Sequence, residues 1–283
     1  MTKIVFFGTP KFSAIILNKL IENNYKPSLV ITAPDKPVGR ESKSAPSPVK
    51  IVAKNNNIPV KTYGSLRGRD DVEEEIKKYQ PDLIIVAAYG KIIPQNILDI
   101  PNIYPINVHG SILPKLRGAS PVQYAILEGL SETGITLMVM NDKMDEGDIL
   151  KIKKIPIEPS DTSTDLFQKM ADVSASFLIE SLPEILNNKI KPQPQNHTQS
   201  TYTKLLSKQD GQFDFENPPS NLGNMIRAYF PWPGVFTEID NQTIKFLPNN
   251  MIQLPNRKAI TVKDFKNTYK DLSGKLTKTL ELL

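Results

Sequence analysis

Through the first half of the chain, short apolar runs alternate with segments of helical spacing. Ile4 to Phe7, Ser28 to Thr32, Leu83 to Ala87 and Ile106 to Val108 are rich in β-branched and aromatic residues and are bounded by Gly, Pro or Asn. Such runs, short and without polar alternation, predict strands buried on both faces of a parallel sheet. Between them, Phe12 to Glu22 and Val72 to Tyr79 carry apolar residues at helix-compatible intervals. The alternation predicts βαβ units and therefore an α/β fold, a Rossmann-like doubly wound sheet that is mostly parallel. Ligands of such sheets sit beyond the carboxyl ends of the strands, so the residues just after each strand matter most.

Ile135 to Met140 predicts a further strand. Thr162-Ser163-Thr164-Asp165 has the form of a capping box, and behind it Leu166, Met170, Val173, Phe177 and Leu178 share one face of a long helix, as a core stripe does. Lys191 to Thr203, with Pro192 and Pro194 among Gln, Asn, Ser and Thr, reads as an exposed connection. The chain is thus expected to divide into a main α/β domain at 1–190, a linker at 191–206 and a smaller β-rich domain at 207–283. In the last, a helix from Asn221 to Ala228 precedes β-type runs at Val235 to Ile239 and Thr243 to Leu247.

Composition narrows the classes. The 283 residues, 39% hydrophobic and 23% charged, suit a globular protein with room for two domains. The chain has no cysteine, which excludes disulfides, thiolate metal sites, iron–sulfur clusters and cysteine nucleophiles. The longest apolar run, Leu83 to Ala88, falls far short of the ~18 residues of a membrane span, and Met1 to Gly8 lacks the pattern of a signal peptide. The expectation is a cytoplasmic protein with no membrane partner. A net charge of +5 and a pI near 9.1 permit a polyanionic partner without demanding one.

Gly8-Thr9-Pro10 follows the first strand and opens a helix, but it lacks the G-x-G-x-x-G pattern and Pro10 removes a backbone donor, so a tight turn explains it better than a dinucleotide site. Asn107 and His109 stand two apart in an extended segment, so both side chains project from one face at a strand end. The pair has two readings, a satisfied structural pair or a ligand-facing one. The only other histidine, His197, falls in the polar connection and reads as a surface residue. Asn141-Asp142-Lys143-Met144-Asp145-Glu146-Gly147-Asp148 does not match a calcium loop, and read alone it is a cation site or a solvated turn. An amide, an imidazole and a carboxylate at the ends of two strands suit acyl-type transfer: the first two can donate to an oxyanion, and the carboxylate orients the histidine or accepts a proton.

Taken together, Asn107 to Pro114 with Arg117-Gly118, Glu132-Thr133-Gly134-Ile135-Thr136 and Asp145-Glu146-Gly147-Asp148 resemble the folate-dependent formyltransferases. The resemblance implies that Asn107, His109 and Asp145 are the catalytic trio. It implies N10-formyltetrahydrofolate as formyl donor, with no metal. Ser111, Ile112, Leu113 and Pro114 would contact the folate, and Ala88, Tyr89 and Gly90 would line its pterin pocket. Phe7-Gly8-Thr9-Pro10 and the loop Ala33 to Arg40, ending in Pro46 to Lys50, are similar to the branch of the family that formylates an aminoacyl-tRNA. That branch implies initiator methionyl-tRNA as partner, with Lys36, Arg40, Lys43 and Lys50 as tRNA phosphate contacts, and a monomer is expected; a flexible basic loop is the plainer reading of those four residues. Within the trio, Asn107 would donate to the oxyanion, His109 would be a second donor or proton carrier, and Asp145 would orient His109 and help take the proton from the amine. The resemblance runs from residue 2 to about residue 234, and the C-terminal domain, OB-like in this family, is expected to be shortened. Two rivals are formylation of a small-molecule amine such as an amino sugar nucleotide, which a shortened tail favours and the Arg40 loop opposes, and a non-catalytic RNA- or folate-binding relic, which the intact trio opposes.

Overall fold

A computed structural model describes residues 2–38 and 43–283. In chain order its first strands and helices are β1 (Ile4–Gly8), α1 (Lys11–Glu22), β2 (Leu29–Thr32), β3 (Lys36–Val38), β4 (Lys43–Ala45), α2 (Pro48–Asn55), β5 (Val60–Thr62), α3 (Asp70–Lys77), β6 (Leu83–Ala87), α4 (Gln95–Leu98) and β7 (Tyr104–His109). There follow β8 (Arg117–Gly118), α5 (Pro121–Leu127), β9 (Glu132–Val139), β10 (Ile149–Pro156), α6 (Ser163–Leu186), β11 (Tyr202–Thr203), α7 (Leu222–Ala228), β12 (Val235–Ile239), β13 (Gln242–Leu247), β14 (Met251–Gln253), β15 (Ile260–Thr261), α8 (Val262–Thr268), α9 (Lys270–Lys275) and α10 (Thr277–Glu281). The chain separates into two compact units. One comprises Met1–Gly118, Gly134–Ile155 and Gln168–Tyr202; the other comprises Ala119–Thr133, Pro156–Phe167 and Thr203–Leu283.

The first unit is built on a seven-stranded sheet of order β10-β9-β7-β6-β1-β2-β5. β1 pairs in parallel with β2 and β6, β2 with β5 and β6 with β7, while β9 runs antiparallel to β7. Every residue of β1, β2 and β6 is buried, which is why these stretches read as continuous apolar runs. On α1 the buried residues Ser13, Ala14, Ile16, Leu17 and Leu20 recur every three or four positions and form its inward stripe. The chain passes from β1 outward to β2 and β5, then returns to the other side of β1 for β6 and β7. The strand order therefore reverses between β1 and β6, and a crevice opens beyond their carboxyl ends.

α6 begins at the predicted capping box. The Thr162 N–H and O–H both donate to Asp165 Oδ2, at 3.0 and 2.6 Å, and the Asp165 N–H donates to Thr162 Oγ1 at 3.3 Å.

The second unit contains an antiparallel sheet of order β12-β13-β14-β15. Val235, Ile239, Ile244, Phe246 and Ile252 are buried in it, and Phe213 meets Phe246 edge-on at 5.3 Å. The segment after residue 261 is helical, in α8 to α10, with Phe265 fully buried. α5 packs against α7 in the same unit. Among the described residues no helix is long and apolar enough to cross a membrane.

Candidate active site

β7 extends to His109, so Asn107 and His109 lie on one strand and on one face of the sheet. The carboxyl end of β6 lies beside them, because Val86 is in register with Asn107. The loop between β9 and β10 brings in the third group. Asp145 Oδ1 lies 3.5 Å from His109 Nδ1 and accepts from Asn107 Nδ2 at 3.4 Å. Its other oxygen accepts the Gly118 N–H at 2.8 Å. The three residues that sequence reasoning grouped from positions 38 apart thus converge on one carboxylate.

His109 is buried, 6% exposed, and Asp145 half-buried. His109 Nε2 lies 3.2 Å from the Leu116 carbonyl. A carbonyl only accepts, so that nitrogen carries a hydrogen when the bond is made, and Nδ1 is the ring atom facing Asp145.

The loop that delivers Asp145 is tightly folded. Asp145 adopts a left-handed conformation at φ 53°, which few residues other than Gly, Asn and Asp hold. The Val139 N–H donates to the Asp148 carbonyl at 2.8 Å. Gly147 is required by packing, because a Cβ there would lie 1.7 Å from the Val139 carbonyl oxygen.

Ser111 to Pro114 form the turn after β7. Ser111 is fully buried and donates to the Lys115 carbonyl at 2.6 Å, while the Leu113 N–H donates to Thr136 Oγ1 at 3.1 Å. Thr136 Oγ1 in turn donates to the Ser111 carbonyl at 2.7 Å. Ile112 and Pro114 are partly exposed.

At the crevice where the strand order reverses lies a pocket of about 450 Å³, lined by Thr9, Pro10, Ala88, Tyr89, Gly90 and Lys91 among others. Thr9 Oγ1 donates to the Tyr89 carbonyl at 3.1 Å, tying the end of β1 to that of β6. Gly8 makes the turn possible, since a Cβ there would come within 2.6 Å of Ser13 Cβ. Of the residues expected to contact folate, Ala88, Tyr89 and Gly90 line this pocket, whereas Ser111 to Pro114 and the trio are not in its wall. The Tyr89 hydroxyl is buried without a hydrogen-bond partner, and burial pushes its pKa up to about 12.

Lys36 and Lys43 fall on the two-stranded ribbon β3–β4, and Arg40 lies outside the described residues. Lys50 Nζ donates to both carboxylate oxygens of Asp35 at 2.7 Å, so its charge is already met by a neighbour.

Sequence reasoning missed Gln195. It lies in the stretch read as an exposed connection, yet it is buried and donates to the backbone carbonyls of Asp145 and Gly147. His197, read as a surface residue, has its ring more than half exposed, but its Nδ1 accepts from Arg117 Nη2 at 3.1 Å.

The chain matches known proteins over most of its length. Residues 2–182 match the formyl transferase family and residues 205–258 match the formyl transferase C-terminal domain. A methionyl-tRNA formyltransferase of Geobacillus thermodenitrificans is 38% identical over 256 residues, spanning 90% of this chain and 80% of that protein. The methionyl-tRNA formyltransferase of Bacillus cereus strain B4264 is 40% identical over 245 residues, 87% of this chain and 78% of its own. In fold, the chain is similar to an N-formyltransferase from Helicobacter canadensis solved with folinic acid and dTDP-3-aminofucose. The TM-score is 0.66 at 23% identity, over 90% of this chain and 95% of that one. By the extent of these matches, the chain belongs to the formyl transferase family.

Proposed function

We propose that this protein transfers the formyl group of N10-formyltetrahydrofolate to the α-amine of methionine carried by initiator tRNA, as a cytoplasmic monomeric enzyme of translation initiation. The observation that carries the reading is the convergence of Asn107 and His109 on the Asp145 carboxylate at the carboxyl end of β7. The tRNA acceptor is supported by relatives 38% and 40% identical over most of the chain that bear that activity in their names.

The donor supplies a formyl carbon whose leaving group is the folate N10 nitrogen. Asn107 offers an amide N–H to the carbonyl oxygen, which gains charge as the amine adds to that carbon. In the free protein that N–H is spent on a long 3.4 Å contact to Asp145, so little is given up when it turns to an oxyanion. Asp145 faces His109 Nδ1 and takes the proton of the attacking amine for delivery to the leaving nitrogen, while His109, engaged at Nε2 by the Leu116 carbonyl, holds the carboxylate toward the reacting groups. The Gly118 N–H keeps the Asp145 carboxylate in place through this exchange. The pocket of about 450 Å³ beyond β1 and β6 is of a size to take one arm of the folate.

The test is a transfer assay with N10-formyltetrahydrofolate and three acceptors: methionyl initiator tRNA, free methionine and an amino sugar nucleotide. Formylation selective for the charged tRNA is expected. Transfer only to the sugar would retain the trio's chemistry and overturn the acceptor; transfer to none would overturn the reading.

A further inference from the structure

We propose that Gln195, held by Arg117, is a positioning residue that fixes Asp145 against His109. The inference rests on the reading that Asp145 serves formyl transfer. Gln195 is 5% exposed and its amide is used at both ends. Nε2 donates to the carbonyls of Asp145 at 2.9 Å and Gly147 at 2.7 Å, one hydrogen to each. Oε1 accepts from Arg117 Nε at 3.2 Å and Nη2 at 2.7 Å. Carbonyls cannot donate and a guanidinium cannot accept, so only one orientation of this amide satisfies the site.

Arg117 is itself fully buried, and a buried guanidinium persists only when its donors are engaged. Its Nη1 donates to the Tyr202 hydroxyl at 3.0 Å and lies 3.5 Å from Glu146 Oε1, to which Tyr202 donates at 3.2 Å. The next residue, Gly118, gives its N–H to the Asp145 carboxylate. Two adjacent residues of β8 thus control both ends of Asp145: Arg117 reaches its backbone through Gln195, and Gly118 reaches its side chain directly. The left-handed φ of Asp145 makes such restraint necessary, because an unrestrained aspartate favours other conformations and would carry its carboxylate away from His109.

The variants are Gln195→Met, which keeps the volume and removes every hydrogen bond, and Gln195→Glu, which keeps the acceptor for Arg117 and replaces the donor that holds the loop. In both, kcat for formyl transfer is expected to fall about tenfold to a hundredfold, the range a displacement of about 1 Å costs, with both KM values within threefold of the parent. A loss confined to KM, or a kcat within twofold in the folded Gln195→Glu protein, would overturn the proposal. Should Gln195→Met fail to fold, Gln195→Glu decides. Amide hydrogen exchange gives a readout independent of activity: the Gly118 N–H should exchange at least tenfold faster in Gln195→Glu than in the parent. Unchanged protection there overturns the clamp, whereas a parent protein that formylates no acceptor overturns the functional reading and leaves the exchange result to judge the clamp.

Discussion

Asp145→Asn changes one oxygen to nitrogen and asks whether the trio works as a unit. In the parent, one carboxylate oxygen accepts the Gly118 N–H at 2.8 Å while the other faces Asn107 Nδ2 and His109 Nδ1 at 3.4 and 3.5 Å. An asparagine has a single acceptor oxygen. If it serves Gly118, the shorter bond, its NH2 group faces the Asn107 amide donor and can only donate to His109 Nδ1. The imidazole is then held with Nδ1 bare and cannot take up a second proton without facing another donor. Losing a charge-assisted hydrogen bond costs about 1.5–3 kcal/mol, or roughly ten- to 150-fold in rate, and impaired proton transfer costs about 10²–10⁴-fold. The two losses share one interaction and do not add in full, so the expected fall in kcat is about 10²–10³-fold, with KM for the folate within threefold. Single-turnover formylation under saturating acceptor measures it, with a thermal melt to show that the fold is kept. A rate within tenfold of the parent would refute the proposed role of the carboxylate.

Particular contacts lead to further expected outcomes. Gly147→Ala places a methyl group on the Val139 carbonyl, so the Asp145 loop must move, and activity should fall at least a hundredfold with a lowered melting temperature; parental activity would show that the loop yields freely. Tyr89→Phe removes a buried hydroxyl without a partner and should raise stability by about 1 kcal/mol, read from urea unfolding; a loss would mean that the hydroxyl is satisfied. Because burial raises the Tyr89 pKa from 10.0 to about 12, the stability tied to its neutral form is complete below pH 10 and lost as pH rises toward 12, so Tyr89→Phe should unfold less steeply over that alkaline span. At the other end of the scale, the hydrogen bond from Lys204, followed by those from Ser207, holds the Asp210 carboxyl at about 2, below its ordinary 3.8. Its contribution is therefore present above pH 3.8 and lost as pH falls toward 2, and Asp210→Asn should flatten the acid limb of a pH melt.

The buried strands were legible because both faces of a parallel sheet demand apolar residues. β5, with partly or fully exposed residues Val60, Lys61 and Thr62 at the sheet edge, leaves no such signal. The trio was legible because polar residues at the end of a buried strand have few structural uses. Boundaries were less so: β7 begins at Tyr104 and β9 at Glu132, earlier than their apolar runs, since backbone pairing continues where side chains meet the surface. Gln195 could not be found by spacing at all. Its partner Arg117 is 78 residues away, and the polar, proline-rich composition around it carries the mark of an exposed connection. The helices α8 to α10 were hidden for a different reason, as the β-type runs before them suggested that the same pattern would continue.

The most direct test of the account is single-turnover formyl transfer to methionyl initiator tRNA by the parent and by Asn107→Ala, whose amide is the donor assigned to the oxyanion. Transfer by the parent is expected, with a rate at least a hundredfold lower in the folded variant, as loss of one oxyanion donor costs about 10²–10³-fold. Transfer by Asn107→Ala within tenfold of the parent would contradict it.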